Sequence, residues 1–170
     1  MNKKSLLKLA IESIKAKLEQ RDINIIEYKH FTEKKGVFVT LKENNQLRGC
    51  IGTIVTQEPL YKTVNKMAVA AAFNDYRFQP LRLEELDDIE LSLSIISIPK
   101  AIVKTEEISL GVHGVIFKYK QAQSVFLPEV PIEQGWGRLD YLQQLSLKAN
   151  QRPDDWKKAE LLIFSTEKIS

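Results

Sequence analysis

The chain has 170 residues, of which 44% are hydrophobic and 28% charged, the balance of a folded globular protein rather than of a disordered one. No apolar run approaches the roughly 18 residues of a transmembrane helix, and lysines interrupt the apolar residues near the start, so neither a membrane span nor a signal peptide is predicted. The formal net charge of +3 comes from residues 1–35, which carry nine Lys or Arg against five Asp or Glu, and so weak a surplus disfavours nucleic-acid binding.

The first predicted element is an amphipathic helix over residues 3–19. Its apolar side chains recur at helical spacing as Leu7, Ile11, Ile14 and Leu18. Lysines and glutamates fill the rest of the segment, which is typical of a helix that packs one face on a core and exposes the other.

A β-hairpin is predicted next. Two β-rich runs, 37–41 and 47–55, flank an Asn-rich turn, Glu43 to Gln46. The second run contains Gly49 and Gly52, and glycine inside a strand usually marks a bulge or a close approach of another backbone.

The helix predicted from Pro59 to Asn74 is rich in alanine, so another element can approach it closely. Further predicted elements are strands at 89–98, 115–119, 124–127 and 161–164, and a helix from Leu139 to Ala149. Because helices and strands do not alternate regularly, the sequence predicts an α+β fold with a mixed sheet and helices packed on it, formed by a single domain over residues 1–170.

The segment Leu47–Gly52 is the first candidate for chemistry. It contains Cys50, the only cysteine of the chain, between two glycines and next to Arg48. Small neighbours expose backbone N–H groups to a ligand, and Arg48 could hold an anion or favour the thiolate of Cys50. A lone cysteine in a strand is also commonly a small buried hydrophobic residue, so nucleophile and packing residue remain alternatives. One cysteine makes no internal disulfide, which suits a reducing cytoplasm.

Three further polar residues stand in notable settings. His113, between Gly111 and Gly114, could act as the base for Cys50 or could pin its own turn through a backbone carbonyl. Glu129 follows Pro128 among apolar residues, where partial burial would suit acid–base work, and the alternative is a salt bridge with Arg48 or Arg77. Asp75 and Arg77 follow the alanine-rich helix, where Asp75 could form an Asx turn. The sequence shows no cluster of metal-ligand residues and identifies no cofactor.

The order of these segments resembles the AMMECR domain proteins, known in many microbes as component A of the AmmeMemoRadiSam system. The segments that carry the resemblance run from residue 37 to the C-terminus: Leu47–Gly52, Pro59–Ala72, Asp75–Leu81, Gly111–Gly114, Leu127–Val130, Gly135–Trp136, Leu145–Ala149 and Trp156. It implies an α+β fold of two lobes with a cleft between them, lined by the Leu47–Gly52 segment. It also implies partnership with a Memo-type protein and a radical S-adenosylmethionine (radical SAM) protein, but no particular reaction.

The chain departs from the family pattern after the late helix. Ser146 stands where the family usually has cysteine, and Asn150 stands where it has glycine. A mechanism that needs two thiols, such as disulfide exchange, is therefore disfavoured. Glu129 stands where glutamine is common, so its charge is not a general requirement of the family.

The residues support two main hypotheses about function. The first is a cytoplasmic enzyme or enzyme subunit that binds an unidentified small anionic ligand, with Cys50, His113 and Glu129 as catalytic residues. Its predicted ligand-binding residues are Arg48, Gly49, Ile51, Gly52, Asp75 and Arg77. The second is a non-catalytic module that binds a peptide or protein, with Cys50 only packing. Nucleic-acid binding through the basic first helix is the weakest alternative.

Overall fold

The structure, a computed structural model, describes residues 3–170, so the first two residues of the predicted domain lie outside it. The α+β class is confirmed, with strands in two four-stranded sheets. The chain forms two compact units, one built from the residues up to Ile96 together with Glu167–Ser170, the other from Ser97–Thr166. All strand pairs with a described register are antiparallel, which suits strands joined by short turns.

The first unit packs two helices with a sheet whose strand order is β2-β1-β3-β8. Its elements are α1 (Lys4–Leu18), β1 (Val37–Glu43), β2 (Gln46–Thr53), α2 (Leu60–Phe73), β3 (Ile89–Ile96) and β8 (Thr166–Ile169). Short 3₁₀ helices cover Ile26–Tyr28 and Leu83–Asp88. The predicted hairpin is confirmed, and its turn residues Asn44 and Asn45 have φ of 51° and 62°, as a tight two-residue turn requires.

The buried face of α1 differs from the predicted one. Ile14 is buried as expected, but Ile11 is 43% exposed, and Leu7 and Leu18 are only half-buried. The centre of the buried face is formed instead by Leu6, Leu9, Ala10, Ser13 and Ile14. The helix carries two adjacent apolar sets, and the predicted face followed Leu7 and Ile11 rather than Leu6 and Leu9. Ala10 and Ser13, which lie in the true buried face, are small residues of little or no hydrophobicity and gave no signal.

Strand β2 contains a β-bulge at Arg48. Leu41 of β1 lies opposite Gly49, whereas the next residue, Lys42, lies opposite Leu47, so Arg48 is the extra residue. Beside the bulge, a Cβ atom on Gly49 would lie 2.2 Å from the carbonyl oxygen of Ala71 in α2. The predicted close approach to the alanine-rich helix is therefore observed, and Gly49 is one of the residues that permit it.

The second unit contains a sheet of strand order β4-β7-β5-β6. Its elements are β4 (Lys100–Ile102), β5 (Gly114–Tyr119), β6 (Ala122–Phe126), α3 (Val130–Glu133), α4 (Arg138–Lys148) and β7 (Glu160–Phe164). Two 3₁₀ helices, Thr105–Glu107 and Pro153–Lys158, complete it. Its core joins the two inner strands to α4, with Val115, Phe117, Tyr141, Leu142 and Leu145 buried.

The end of α4 explains how the chain tolerates its two departures from the family pattern. Asn150 has φ of 56°, a conformation that asparagine adopts more readily than most residues. Its amide donates to the carbonyl of Leu147 and that of Gln151 donates to the carbonyl of Ser146, which together form a Schellman motif. Ser146 is buried, and its hydroxyl donates to the carbonyl oxygen of Leu142 at 3.3 Å.

Three short elements were not predicted from the sequence. They are β4, α3 and β8, of three, four and four residues, which are too short to show a hydrophobic period. Among residues 3–170, none of the helices is both long enough and apolar enough to cross a lipid bilayer.

Gly49→Ala is expected to lower the free energy of unfolding by about 2–3 kcal/mol, because the added methyl group would collide with the Ala71 carbonyl. Gly137→Ala is the control, since its Cβ would come no closer than 3.5 Å to a neighbour and its φ is −74°. The control substitution should lower the free energy of unfolding by less than about 1 kcal/mol. Urea unfolding measures both losses, and equal losses would contradict the close-approach role.

Candidate functional site

The outer edge of β2 at Cys50 is closed by two side chains rather than by another strand. The amide of Cys50 donates to Asp75 Oδ2 at 2.9 Å, and Arg77 Nη2 donates to the Cys50 carbonyl oxygen at 3.3 Å. Because β2 is the last strand of its sheet, these two backbone groups would otherwise lack partners within the sheet. Asp75 and Arg77 together thus take the place of a neighbouring strand.

Asp75 is the centre of this arrangement. The residue is 4% exposed, and its carboxylate accepts hydrogen bonds from Arg77 Nε at 2.9 Å and Arg77 Nη2 at 2.7 Å. It also accepts from the Arg77 backbone amide at 3.2 Å, which completes the predicted Asx turn. Hydrogen bonding from the Arg77 side chain and from the two backbone amides outweighs the effect of burial and holds the pKa of Asp75 well below its usual range.

The Cys50 thiol is half-buried on the face of β2 opposite Ile51, which packs on the core that includes α2. Its Sγ lies 3.3 Å from Thr40 Oγ1, on the residue directly across the hairpin. The backbone of Cys50 bonds outward, so this is a non-hydrogen-bonded pair, in which facing side chains come close. The thiol therefore has a polar neighbour and is not enclosed by hydrocarbon alone.

The bulge residue Arg48 is held by a carboxylate that sequence reasoning missed. Its Nε and Nη2 donate to the two carboxylate oxygens of Glu85 at 2.8 and 3.2 Å, and its Nη1 donates to the Gln79 carbonyl at 3.0 Å. The side chains of the pair are 13% and 14% exposed. The Arg48 guanidinium, more than the other contacts, lowers the pKa of Glu85 to about 2.

These residues border an open pocket of about 620 Å³, here called the arginine pocket. Its lining residues all belong to the first unit: Arg48, Arg77, Phe78, Gln79, Pro80, Arg82 and Glu85. Three guanidinium groups thus face one carboxylate, and the buried carboxylate of Asp75 lies behind Arg77. The wall of the pocket carries a net positive charge, which favours an anionic occupant.

The three arginines differ in how many donors they leave for a ligand. Every side-chain nitrogen of Arg48 is engaged within the protein. Arg77 uses Nε and Nη2, whereas its Nη1 has no hydrogen bond to any of the residues 3–170. Arg82 has a side chain that is 76% exposed and makes one long contact, 3.4 Å from Nε to Glu85. Arg77 and Arg82 therefore hold the free donors.

The space beside the two glycines near Cys50 is occupied by other residues of the chain. Gly49 accommodates the Ala71 carbonyl, and a Cβ on Gly52 would lie 2.4 Å from the ring of Phe38, which is paired with it across the hairpin. Packing accounts for both glycines, so neither is evidence for a ligand. Support for a ligand site comes instead from the arginines of the pocket.

His113 lies in the second unit, and its ring is tied to its own turn. Nδ1 lies 3.1 Å from the carbonyl oxygen of Glu107 and 3.2 Å from the amide nitrogen of Ser109, and the tautomer decides which of them it bonds. Either contact pins the turn, which was the simpler of the two alternatives for this residue.

Glu129 also lies in the second unit, at the start of α3. It is exposed, so the predicted partial burial is wrong. The residue caps the short helix with its backbone, whose carbonyl accepts from the amides of Ile132 and Glu133, and this position turns the side chain outward. The alternative salt bridges are also corrected, since Arg48 and Arg77 pair with Glu85 and Asp75.

The sequence-based prediction left out five of the pocket residues: Phe78, Gln79, Pro80, Arg82 and Glu85. One local signal was available for two of them. Arg82 and Glu85 are three residues apart, the spacing at which a carboxylate caps the start of a helix, and Glu85 Oε2 accepts from the Arg82 amide at 2.8 Å. In the described part of the chain, residues 3–170, no group of three or more His, Cys, Asp or Glu could hold a metal ion.

Known proteins similar to this chain cover both of its units. A model of the AMMECR1 family matches residues 7–169. Protein NEQ441 of Nanoarchaeum equitans is 34% identical over 171 residues, which cover 94% of this chain and 95% of that protein. Protein MJ0810 of Methanocaldococcus jannaschii is 38% identical, covering 81% of this chain and 72% of that protein.

A solved structure is similar in fold as well. The crystal structure of the uncharacterized protein PH0010 from Pyrococcus horikoshii matches with a TM-score of 0.83 and 31% sequence identity. The match covers 96% of this chain and 88% of that one.

Glu85→Gln is expected to flatten the acid dependence of stability. A carboxyl whose pKa falls from about 4.3 unfolded to about 2 folded contributes stability that is complete above pH 4.5 and is lost as the pH falls toward 2. Removing the charge should therefore cost about 2–3 kcal/mol at pH 7 and almost nothing near pH 2.

Urea unfolding at pH 7, 4.5, 3 and 2 measures this difference. Glu84→Gln is the matched control, because Glu84 is the exposed neighbour and should show the same pH dependence as the unaltered protein. A Glu85→Gln variant whose stability tracks the unaltered protein at every pH would contradict the assigned role of the Arg48–Glu85 pair.

Proposed function

The chain belongs to the AMMECR1 family, as its motifs indicated, and on that premise we propose that its first unit binds a small anionic ligand in the arginine pocket. The observation that carries the proposal is the charge of the wall, where Arg48, Arg77 and Arg82 face Glu85 alone. Guanidinium groups bind carboxylates and phosphates through paired N–H donors.

The three arginines would have different roles in binding the ligand. Arg48 is fully engaged and acts as a fixed part of the wall. Arg77 is oriented by Asp75 and would offer Nη1 to the ligand, at little cost in side-chain entropy because its other nitrogens are already bound. Arg82 would turn toward the anion, since its exposed side chain makes one hydrogen bond to the residues 3–170, the long one to Glu85.

A thiol-based reaction at Cys50 is the finer part of the proposal. It is supported by a sulfur that is half-buried, and by the hydrogen bond that joins the Cys50 carbonyl to the pocket residue Arg77. We further propose that the protein acts in the cytoplasm, where a lone thiol stays reduced.

The alternative function, a protein-binding module, is favoured by one observation next to the pocket. Tyr76, which precedes Arg77, is 95% exposed, and exposed Tyr and Arg side chains are enriched at protein interfaces. The partners to test are the Memo-type protein and the radical SAM protein that the family resemblance implies. Comigration of either on a sizing column, lost in Tyr76→Ala, would support this alternative, whereas separate elution of all three would exclude it.

Arg82→Ala is expected to weaken binding of inorganic phosphate about tenfold, because a hydrogen bond to a charged group contributes about 1.5–3 kcal/mol. Isothermal titration calorimetry at low ionic strength measures the dissociation constant, which should rise with added salt. Arg152→Ala is the control, since this exposed arginine of the second unit hydrogen-bonds to residues 3–170 through its backbone, with Asp155, and not through its side chain. Absence of saturable binding, or equal affinity in Arg82→Ala, would exclude the anion site.

Alkylation of Cys50 tests the thiol step separately. If the sulfur forms a transient covalent bond, iodoacetamide at pH 7.5 should modify the folded protein at least as fast as the same thiol unfolded in urea. Mass spectrometry follows the reaction, and free cysteine corrects for the effect of urea on the reagent. A folded thiol that reacts a hundred times more slowly would leave Cys50 a packing residue, without affecting the anion site.

A further inference from the structure

The arginine pocket is larger than a simple ion requires. Its volume of about 620 Å³ is within the range of pockets that take organic molecules, roughly 300–1,000 Å³. Among the lining residues, the cationic donors that are left free belong to Arg77 and Arg82. An inorganic anion held there would leave most of the pocket unfilled, so there is room for the body of a larger ligand.

Part of that remaining wall, which is formed by Phe78, Gln79 and Pro80, is apolar. It includes the half-buried ring of Phe78 and the exposed ring of Pro80. The guanidinium carbon of Arg77 lies 5.5 Å from the centroid of the Phe78 ring, so a cationic plane and an aromatic ring adjoin in one short segment. Guanidinium planes and aromatic faces both stack on planar rings. The guanidinium of Arg77 therefore offers a flat face beside Nη1, its free hydrogen-bond donor.

We propose that the ligand of the arginine pocket joins a planar ring to an anionic group. The ring packs on Phe78 and Pro80, and the anionic group binds Arg77 Nη1 and Arg82. This inference rests on the proposed function, because it assigns a ligand class to the same site. Phosphate and carboxylate share the chemistry that the guanidiniums recognise, so the head group is left to the experiment.

The test compares three phosphates by calorimetry on the full chain: inorganic phosphate, cyclohexyl phosphate and phenyl phosphate. The two organic probes carry six-carbon rings, but only the phenyl ring is planar and aromatic. Phenyl phosphate is expected to bind roughly five- to tenfold more tightly than either of the others, the factor that an aromatic contact supplies. Benzoate and cyclohexanecarboxylate form the corresponding pair of carboxylates. Whichever of phenyl phosphate and benzoate binds more tightly identifies the head group.

Phe78→Leu is the variant that removes the ring and keeps an apolar side chain. It should abolish the preference for phenyl over cyclohexyl phosphate, and urea unfolding confirms that it is folded. The ratio of the two affinities is the readout, because any disturbance of Arg77, which contacts the ring, affects both probes alike. Equal binding of phenyl and cyclohexyl phosphate by the unaltered protein would overturn the planar ring. Equal binding of all three phosphates would overturn the organic ligand but leave the anion site standing. No binding of any probe would overturn both.

Discussion

The carboxylate of Asp75 is the interaction on which the candidate site depends. It is buried at the end of α2 and accepts hydrogen bonds from both the Cys50 amide and the Arg77 side chain. A buried carboxylate without such partners would be costly, and here the partners belong to the edge of a sheet and to the wall of a pocket. One charged group therefore ties the strand that carries Cys50 to the segment that carries Arg77.

The pocket follows from this tie and from a second one formed by Glu85. The bulge turns Arg48 away from the regular pairing of the hairpin, and Glu85 then engages its guanidinium through both carboxylate oxygens. Two ion pairs so fix two arginines in place, while Arg82 is left largely free. The result is a positive surface on which two of three guanidinium groups are held by carboxylates, which is the preorganisation that the proposed anion site requires.

Local patterns in the sequence predicted much of this arrangement. The glycine-containing strand, the alanine-rich helix and the Asx turn at Asp75 were each visible as short motifs, and each is observed. The partner of Arg48 was not visible, because Glu85 lies 37 residues away and several acidic residues compete for the same role. Likewise, the exposure of Glu129 depends on a four-residue helix that has no periodicity to reveal it. Pairings set by tertiary structure escaped prediction, whereas several of those set by neighbours in the chain were predicted. The contact between Arg82 and Glu85 is a local pairing that was missed as well.

Amide hydrogen exchange at Cys50, followed by NMR, tests the central claim most directly. The amide of an edge strand that faces away from its sheet normally exchanges quickly, because nothing but water accepts its hydrogen bond. If the Asp75 carboxylate holds it, the Cys50 amide should be protected as strongly as amides inside the sheet, such as that of Val39. Rapid exchange at Cys50, with slow exchange at Val39, would show that the carboxylate does not bind the strand and that the site is not assembled in this way.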